Sequence, residues 1–105
     1  MAKDYYDEIF LHLVWHAKGS RNLIAPDWEI KIHDIIRHRA VEGGVYVHEI
    51  GGTRNHVHMI VRFRPTLAVC EWIGRVKGGS SYDINRLNAP LSMDWQSGYG
   101  VVSFG

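Results

Sequence analysis

Residues 55–61 read Asn-His-Val-His-Met-Ile-Val, which sets His56 and His58 one residue apart inside an apolar run. A neutral imidazole offers one bare nitrogen and one N–H, so histidine is a metal ligand, a proton carrier or a polar group that needs partners. In an extended strand, residues i and i+2 point the same way, about 6.5–7 Å apart. His56 and His58 therefore share a face, close enough for their ring nitrogens to hold one ion between them. Ile60 and Arg62 fall on the same face, while Val57, Met59, Val61 and Phe63 fall on the other and suit a core. Spacing alone leaves two readings open: a metal pair, or two half-exposed sheet residues.

A metal site needs more than two ligands. Two imidazoles with an oxygen donor suit Mn or Zn, and Mg less well by softness. His12 and His16, on the neighbouring first strand, are candidates either as ligands or as residues supporting the ligands, and Glu49, Glu71 and Gln96 are oxygen candidates; no spacing forces any of them. Two enzyme chemistries fail on the residues. A histidine-triad hydrolase needs a third histidine where Ile60 stands, and a two-histidine phosphoesterase needs His-x-Ser/Thr twice, which the chain lacks.

The elements that must position the pair follow from periodicity. Residues 8–18 read as a strand, with Phe10, His12, Val14 and His16 on one face and Ile9, Leu11, Leu13 and Trp15 on the other. Residues 25–44 read as a helix: Pro26 suits a first turn, Asp27 and Glu29 favour its positive end, and Trp28, Ile32, Ile35, Ile36 and Ala40 form one apolar stripe. Gly43-Gly44 ends it. Residues 45–50 and 56–63 read as strands around a hairpin-sized loop, with Pro65 ending the second. Residues 66–87 read as a second helix with Thr66 as N-cap and Val69, Ile73 and Val76 as its stripe, weakened midway by Gly78-Gly79. Residues 101–104 read as a last strand. The order β-α-β-β-α-β predicts an α+β, ferredoxin-like split βαβ fold: a four-stranded antiparallel sheet with both helices on one face. The other face stays free for function.

At 105 residues and 46% hydrophobic, the chain suits a single domain with a packed core. Cys70 is the only cysteine, which excludes an internal disulfide or a Cys-rich zinc site and fits a reducing cytoplasm. The first ten residues carry three acids and no apolar segment of the signal-peptide kind, and no stretch is long enough to cross a membrane. The net charge is +1, yet residues 50–90 hold Arg54, Arg62, Arg64, Arg75, Lys77 and Arg86 against Glu71 and Asp83, six minus two or +4. Such an asymmetry points to an anionic partner, with ordinary surface scatter as the competing explanation.

Four segments occur in order: HLVWHAKGSRN (12–22), NHVHMIV (55–61), LAVCEWIGRVKGGSS (67–81) and WQSGYGVVSFG (95–105). Together they resemble the single-tyrosine HUH transposases of minimal insertion sequences and their repeat-associated relatives, HUH standing for His-hydrophobe-His. The resemblance implies the same fold, a homodimer, and cleavage and rejoining of single-stranded DNA, typically hairpins at element ends. It implies a divalent metal, Mg or Mn, on His56 and His58, polarising the scissile phosphate. It also implies a tyrosine nucleophile forming a 5′-phosphotyrosine link that preserves the bond energy for rejoining. Arg54, Arg62, Arg64, Arg75 and Lys77 would contact phosphates. Trp72, Trp95 and Tyr99 would stack on unpaired bases or, alternatively, fill the core.

The chain departs from the family pattern in one respect. The family's tyrosine lies on a further helix after the last segment, with a glutamine ligand one turn on. Here Tyr5, Tyr6, Tyr46, Tyr82, Tyr99 and Gln96 all sit in other contexts. No catalytic residue is therefore assigned. The expectation is a transposase-like domain that is C-terminally incomplete relative to the family and unable to cleave DNA alone. The alternatives are a non-catalytic module that binds single-stranded DNA hairpins, and a ferredoxin-like domain acting through protein contacts.

Overall fold

The structure, a computed structural model, describes residues 9–63 and 68–104. Four strands, β1 (Ile9–His16), β2 (Tyr46–Gly52), β3 (His56–Phe63) and β4 (Gly100–Phe104), enclose two helices in the chain, α1 (Glu29–Val41) and α2 (Val69–Arg86). The sheet order is β2-β3-β1-β4 and every pairing is antiparallel, which is the predicted α+β split βαβ arrangement.

Alternation along the strands builds the core. Leu11, Leu13 and Trp15 of β1 and Val57, Met59, Val61 and Phe63 of β3 are buried, and both helices lay Ile32, Ile36, Ala40, Trp72, Ile73, Val76 and Ile84 against them. Trp72 also donates its indole N–H to the Ala40 carbonyl at 3.1 Å, tying the helices together. Gly43 sits where any Cβ would strike that indole, so it is needed for packing as well as for ending α1. The predicted helix stripes are right in kind: Trp28 and Ile35 pack at the margin of the core rather than within it.

The differences have local causes. Pro26–Trp28 form a separate 3₁₀ turn, and the regular helix starts at Glu29. Strand β2 runs on through Gly51 and Gly52, which were expected to be loop, because pairing with His58 and Val57 continues that far. A bulge between Val47 and Glu49 sets His48 as an extra residue beside Phe10 and Tyr46. Gly78-Gly79 does not interrupt α2. A Cβ on Gly79 would press on the Arg39 side chain, so this glycine admits the approach of α1, where Arg39 grips Asp83 through two bonds of 2.7 Å. Pro65 and the proposed cap Thr66 lie outside the described residues.

The connection from α2 to β4 is pinned at several points. The Asn85 side chain exchanges two bonds with Met93, and the Lys77 ammonium donates to the carbonyls of Gln96 and Gly98 at 2.7 and 2.8 Å. Backbone bonds from Lys18 to Asp94 and from Gln96 to His16 then hold this segment beside the end of β1.

Candidate metal centre

The face of the sheet away from the helices carries His56, His58, Ile60 and Arg62 of β3 beside Phe10, His12, Val14 and His16 of β1, all partly buried. His16 stands opposite His56, with ring centres 5.3 Å apart; His12 lies diagonally from His58 at 5.6 Å. Four of the seven histidines therefore share one patch.

The His56 ring is fixed from one side. Its Nδ1 lies 2.9 Å from the Thr53 hydroxyl and 3.0 Å from the Asn55 side-chain oxygen, and the Thr53 hydroxyl donates to that same oxygen. An amide oxygen only accepts, so Nδ1 carries the proton and Nε2 is the bare nitrogen. Burial, and then His16 and His58 nearby, hold the His56 pKa below its ordinary value, which favours the neutral, metal-competent form at neutral pH. The turn that supplies Thr53 and Asn55 is anchored in turn by the Thr53 N–H on the His56 carbonyl.

At His58 the ring leans over Gly51, its partner on β2. A Cβ at Gly51 would come within 2.9 Å of the His58 Nε2, so the glycine keeps the space beside that nitrogen open. The other nitrogen, Nδ1, is buried with no hydrogen-bond partner among the described residues. Two imidazoles on one strand face, the first held by Thr53 and Asn55 and the second beside a cradle that a methyl group would fill, are a donor set that fits a divalent ion of the Mn or Zn type. Among the described residues, no three His, Cys, Asp or Glu side chains converge on one point, so the pair lacks a third ligand of those types there. Glu49 faces Ile60 across the sheet, the Gln96 backbone is bonded to His16, and Glu71 is exposed on α2.

The basic residues do not gather around the pair. Arg54 is exposed in the turn just before His56. Arg62 shares the histidine face but lies at the far end of β3, its guanidinium 4.9 Å from the Tyr46 ring centre. Arg75 lines a crevice between the helices with Arg39 and Trp72, on the opposite side of the sheet. Lys77 spends two of its three donors on the Gln96 and Gly98 carbonyls, and burial lowers its pKa. Arg64 lies outside the described residues. Trp72 and Trp95 are core residues, 1% and 9% exposed, so of the three stacking candidates only the half-buried Tyr99 has a ring near the surface. The clamp at Lys77 has no counterpart in the sequence pattern, because its acceptors are backbone carbonyls about twenty residues away.

A cleft of about 450 Å³ runs between α2 and residues 94–99, floored by Gly74 and Gly78 and bounded by Lys77, Gln96 and Tyr99. A second, of about 270 Å³, lies between residues 96–100 and β1 and reaches Val14 and His16. The two share Gln96, Ser97, Gly98 and Tyr99, which links the α2 groove to the histidine patch.

Comparison with known proteins covers most of the chain. The family model described as "Transposase IS200 like" matches residues 5–105. The ISDra2 transposase TnpA of Deinococcus radiodurans is 24% identical over 80 residues, covering 76% of this chain. The chain spans 57% of the length of that relative. Among solved structures, a protein of Deinococcus radiodurans R1 assigned as a transposase superposes with a TM-score of 0.81 at 19% identity, covering 93% of this chain and 80% of that one. A REP-associated tyrosine transposase bound to a REP hairpin gives 0.68 at 9% identity, covering 92% and 56%. At these identities the likeness to solved structures speaks for the fold.

Proposed function

We propose a function from a fixed premise: this chain belongs to the IS200-like transposase family. Its role is to bind single-stranded DNA at an element end, most simply a hairpin, and to hold the phosphate that is cut during transposition against a divalent metal, Mg or Mn. The observation that carries this reading is the His56–His58 pair, two imidazoles on one strand face with the Nδ1 of His56 already committed to Thr53 and Asn55. A metal bound there would polarise a non-bridging phosphate oxygen and lower the barrier to attack at phosphorus. His56 and His58 supply nitrogen ligands, Asn55 and Thr53 orient the first of them, and Arg54, at the same turn, is placed to pair with a neighbouring phosphate. The linked clefts along α2 and residues 94–99 would carry the unpaired strand, with Tyr99 as a stacking surface.

The nucleophile is not assigned to this chain. Tyr82 is exposed on α2, Tyr99 packs against the core, and Tyr46 pairs with Arg62, four β3 positions from His58. The 105-residue polypeptide alone is therefore proposed to bind and position DNA without forming a phosphotyrosine link. A homodimer is part of the proposal. Strand β4 pairs only with β1 among the described residues, and its Val101 and Val102 are 46% and 63% exposed, an edge that a second copy would cover.

The test is a single-stranded hairpin titrated into the protein with and without Mn²⁺, for wild type and His56→Ala/His58→Ala. Metal-enhanced binding that disappears in the double variant supports the reading, with no covalent adduct on a denaturing gel. Equal metal affinity in both proteins would sink the metal site, and an adduct would overturn the proposal that this polypeptide alone forms no phosphotyrosine link.

A further inference from the structure

We infer that His12 is a positioning residue for His58: its Nε2 accepts the Nδ1–H of His58 and so keeps the His58 Nε2 bare and facing the metal. The inference rests on the proposed metal reading and names a residue outside the His-x-His pair.

Two observations meet. Among the described residues, the buried side-chain nitrogens without a hydrogen-bond partner include the His58 Nδ1 and the His12 Nε2. The two rings are diagonal neighbours across β1 and β3, since His12 stands opposite Ile60 and His58 opposite Val14. Their centres are 5.6 Å apart and their planes cross at 72°, an edge arrangement. A collinear hydrogen bond of about 2.9 Å between two imidazole edges sets ring centres roughly 5.2 Å apart, so rings with centres at 5.6 Å are near enough to bond once their nitrogen edges turn toward each other. A buried imidazole nitrogen left unpaired is costly, whereas one bond between these two satisfies both.

The chemistry gives the bond a direction. A metal-ligating histidine regularly donates its second ring N–H to an acceptor, which fixes tautomer and ring orientation. His56 already follows this rule, with its Nδ1–H on Asn55 and Thr53. His58 has the same requirement, and among the described residues no backbone carbonyl or carboxylate is bonded to its Nδ1; the neighbouring His12 nitrogen can serve as the acceptor. Both histidines then present Nε2, and at His58 that is the nitrogen beside which Gly51 leaves room. His12 touches no substrate in this scheme and acts through His58.

The experiment uses the whole 105-residue chain. Nitrogen-15 spectra of the metal-free wild type read the His58 tautomer directly, and the inference requires the proton on Nδ1. Calorimetry with Mn²⁺ and Zn²⁺ then compares wild type with His12→Phe, which keeps the ring volume, and His12→Gln, whose side-chain oxygen can accept. Binding is expected to weaken about 10- to 100-fold in His12→Phe and to recover most of that loss in His12→Gln. A His58 protonated on Nε2, an affinity unchanged in His12→Phe, or a His12→Gln no better than His12→Phe would each overturn the inference. Wild-type metal binding that survives His56→Ala/His58→Ala would instead defeat the metal reading itself, and the role of His12 with it.

Discussion

Replacing Gly51 by alanine should weaken metal binding while leaving the fold intact. The residue is paired with His58 across β2 and β3, and its φ lies outside the left-handed region, so alanine fits the backbone. The new Cβ would lie 2.9 Å from the His58 Nε2 and 3.2 Å from its Cε1, where ordinary contact begins at 3.4 Å. The ring edge must therefore retreat by 3.4 − 2.9, or 0.5 Å. Ligand distances in metal sites hold to about 0.2 Å, so a displacement of that size at one of two nitrogen ligands breaks the geometry. Disturbing the orientation of a ligand typically costs 10- to 100-fold in metal affinity, or about 1.4–2.7 kcal/mol. Stability moves far less. The loss of glycine's freedom in the unfolded chain contributes about 0.4–1 kcal/mol, offset by moving the ring, and the net change should stay within about 1 kcal/mol. Calorimetric titration with Mn²⁺ and a thermal melt of the same sample read both quantities. An unchanged affinity in a folded protein would refute the placement of the metal at the His58 Nε2. A protein that no longer folds would refute the claim that Gly51 is kept for the site rather than for the sheet.

The neighbouring glycine and the helix pair give contrasting outcomes. Gly52 has φ 150°, and a Cβ there would fall on the carbonyl oxygen of His56 and lie 3.0 Å from the Val57 Cα, backbone atoms that cannot step aside; Gly52→Ala should cost roughly 1–3 kcal/mol in urea unfolding, and an unchanged midpoint would refute the turn geometry. The Arg39 guanidinium holds the Asp83 carboxyl below its usual range. A depressed folded-state pKa stabilises above the unfolded value of about 3.9 and loses that contribution as pH falls through the lower folded value. The stability gap between wild type and Asp83→Asn, about 1 kcal/mol for a partly exposed bidentate pair, should therefore be present at pH 5–7 and close in stronger acid; a gap that stays constant or widens on acidification would count against it.

How far the sequence could be read depended on the range of the interaction. Alternation at Val57, Met59 and Val61 against His56 and His58 is a property of consecutive residues, so the strand, its core face and its histidine face were all legible, and the β-α-β-β-α-β order followed from such local patterns. The reason for Gly79 within a continuous α2 was not, because it is the Arg39 side chain of α1 lying where a Cβ would stand, a contact between residues forty apart. The same holds for Gly51, which reads as loop in isolation and as strand once it is paired with His58. The bases of residues 50–90 share a stretch of sequence but not a surface. Arg54 is near the histidines, Arg75 is on the helical side, and Lys77 is occupied by two carbonyls. A local excess of charge says nothing about which face each side chain will take.

That dispersal sharpens what DNA binding by this chain requires. Among the described residues, a strand laid over the histidine patch meets few cations: Arg54 at one end and Arg62 at the other, with Arg62 already against Tyr46. Counterion release scales with the number of phosphates neutralised, so so sparse a set implies a shallow dependence of affinity on salt from one copy of this chain. The segment after α2 is better placed: the Lys77 ammonium, tethered to two carbonyls, fixes residues 96–98, and this segment forms a wall of both clefts and joins α2 to His16. Under the proposed function, recognition on this face would fall mainly to shape, stacking at Tyr99 and the metal. The histidine pair would, under the same proposed function, carry a larger share of phosphate binding than the basic count of the sequence suggests.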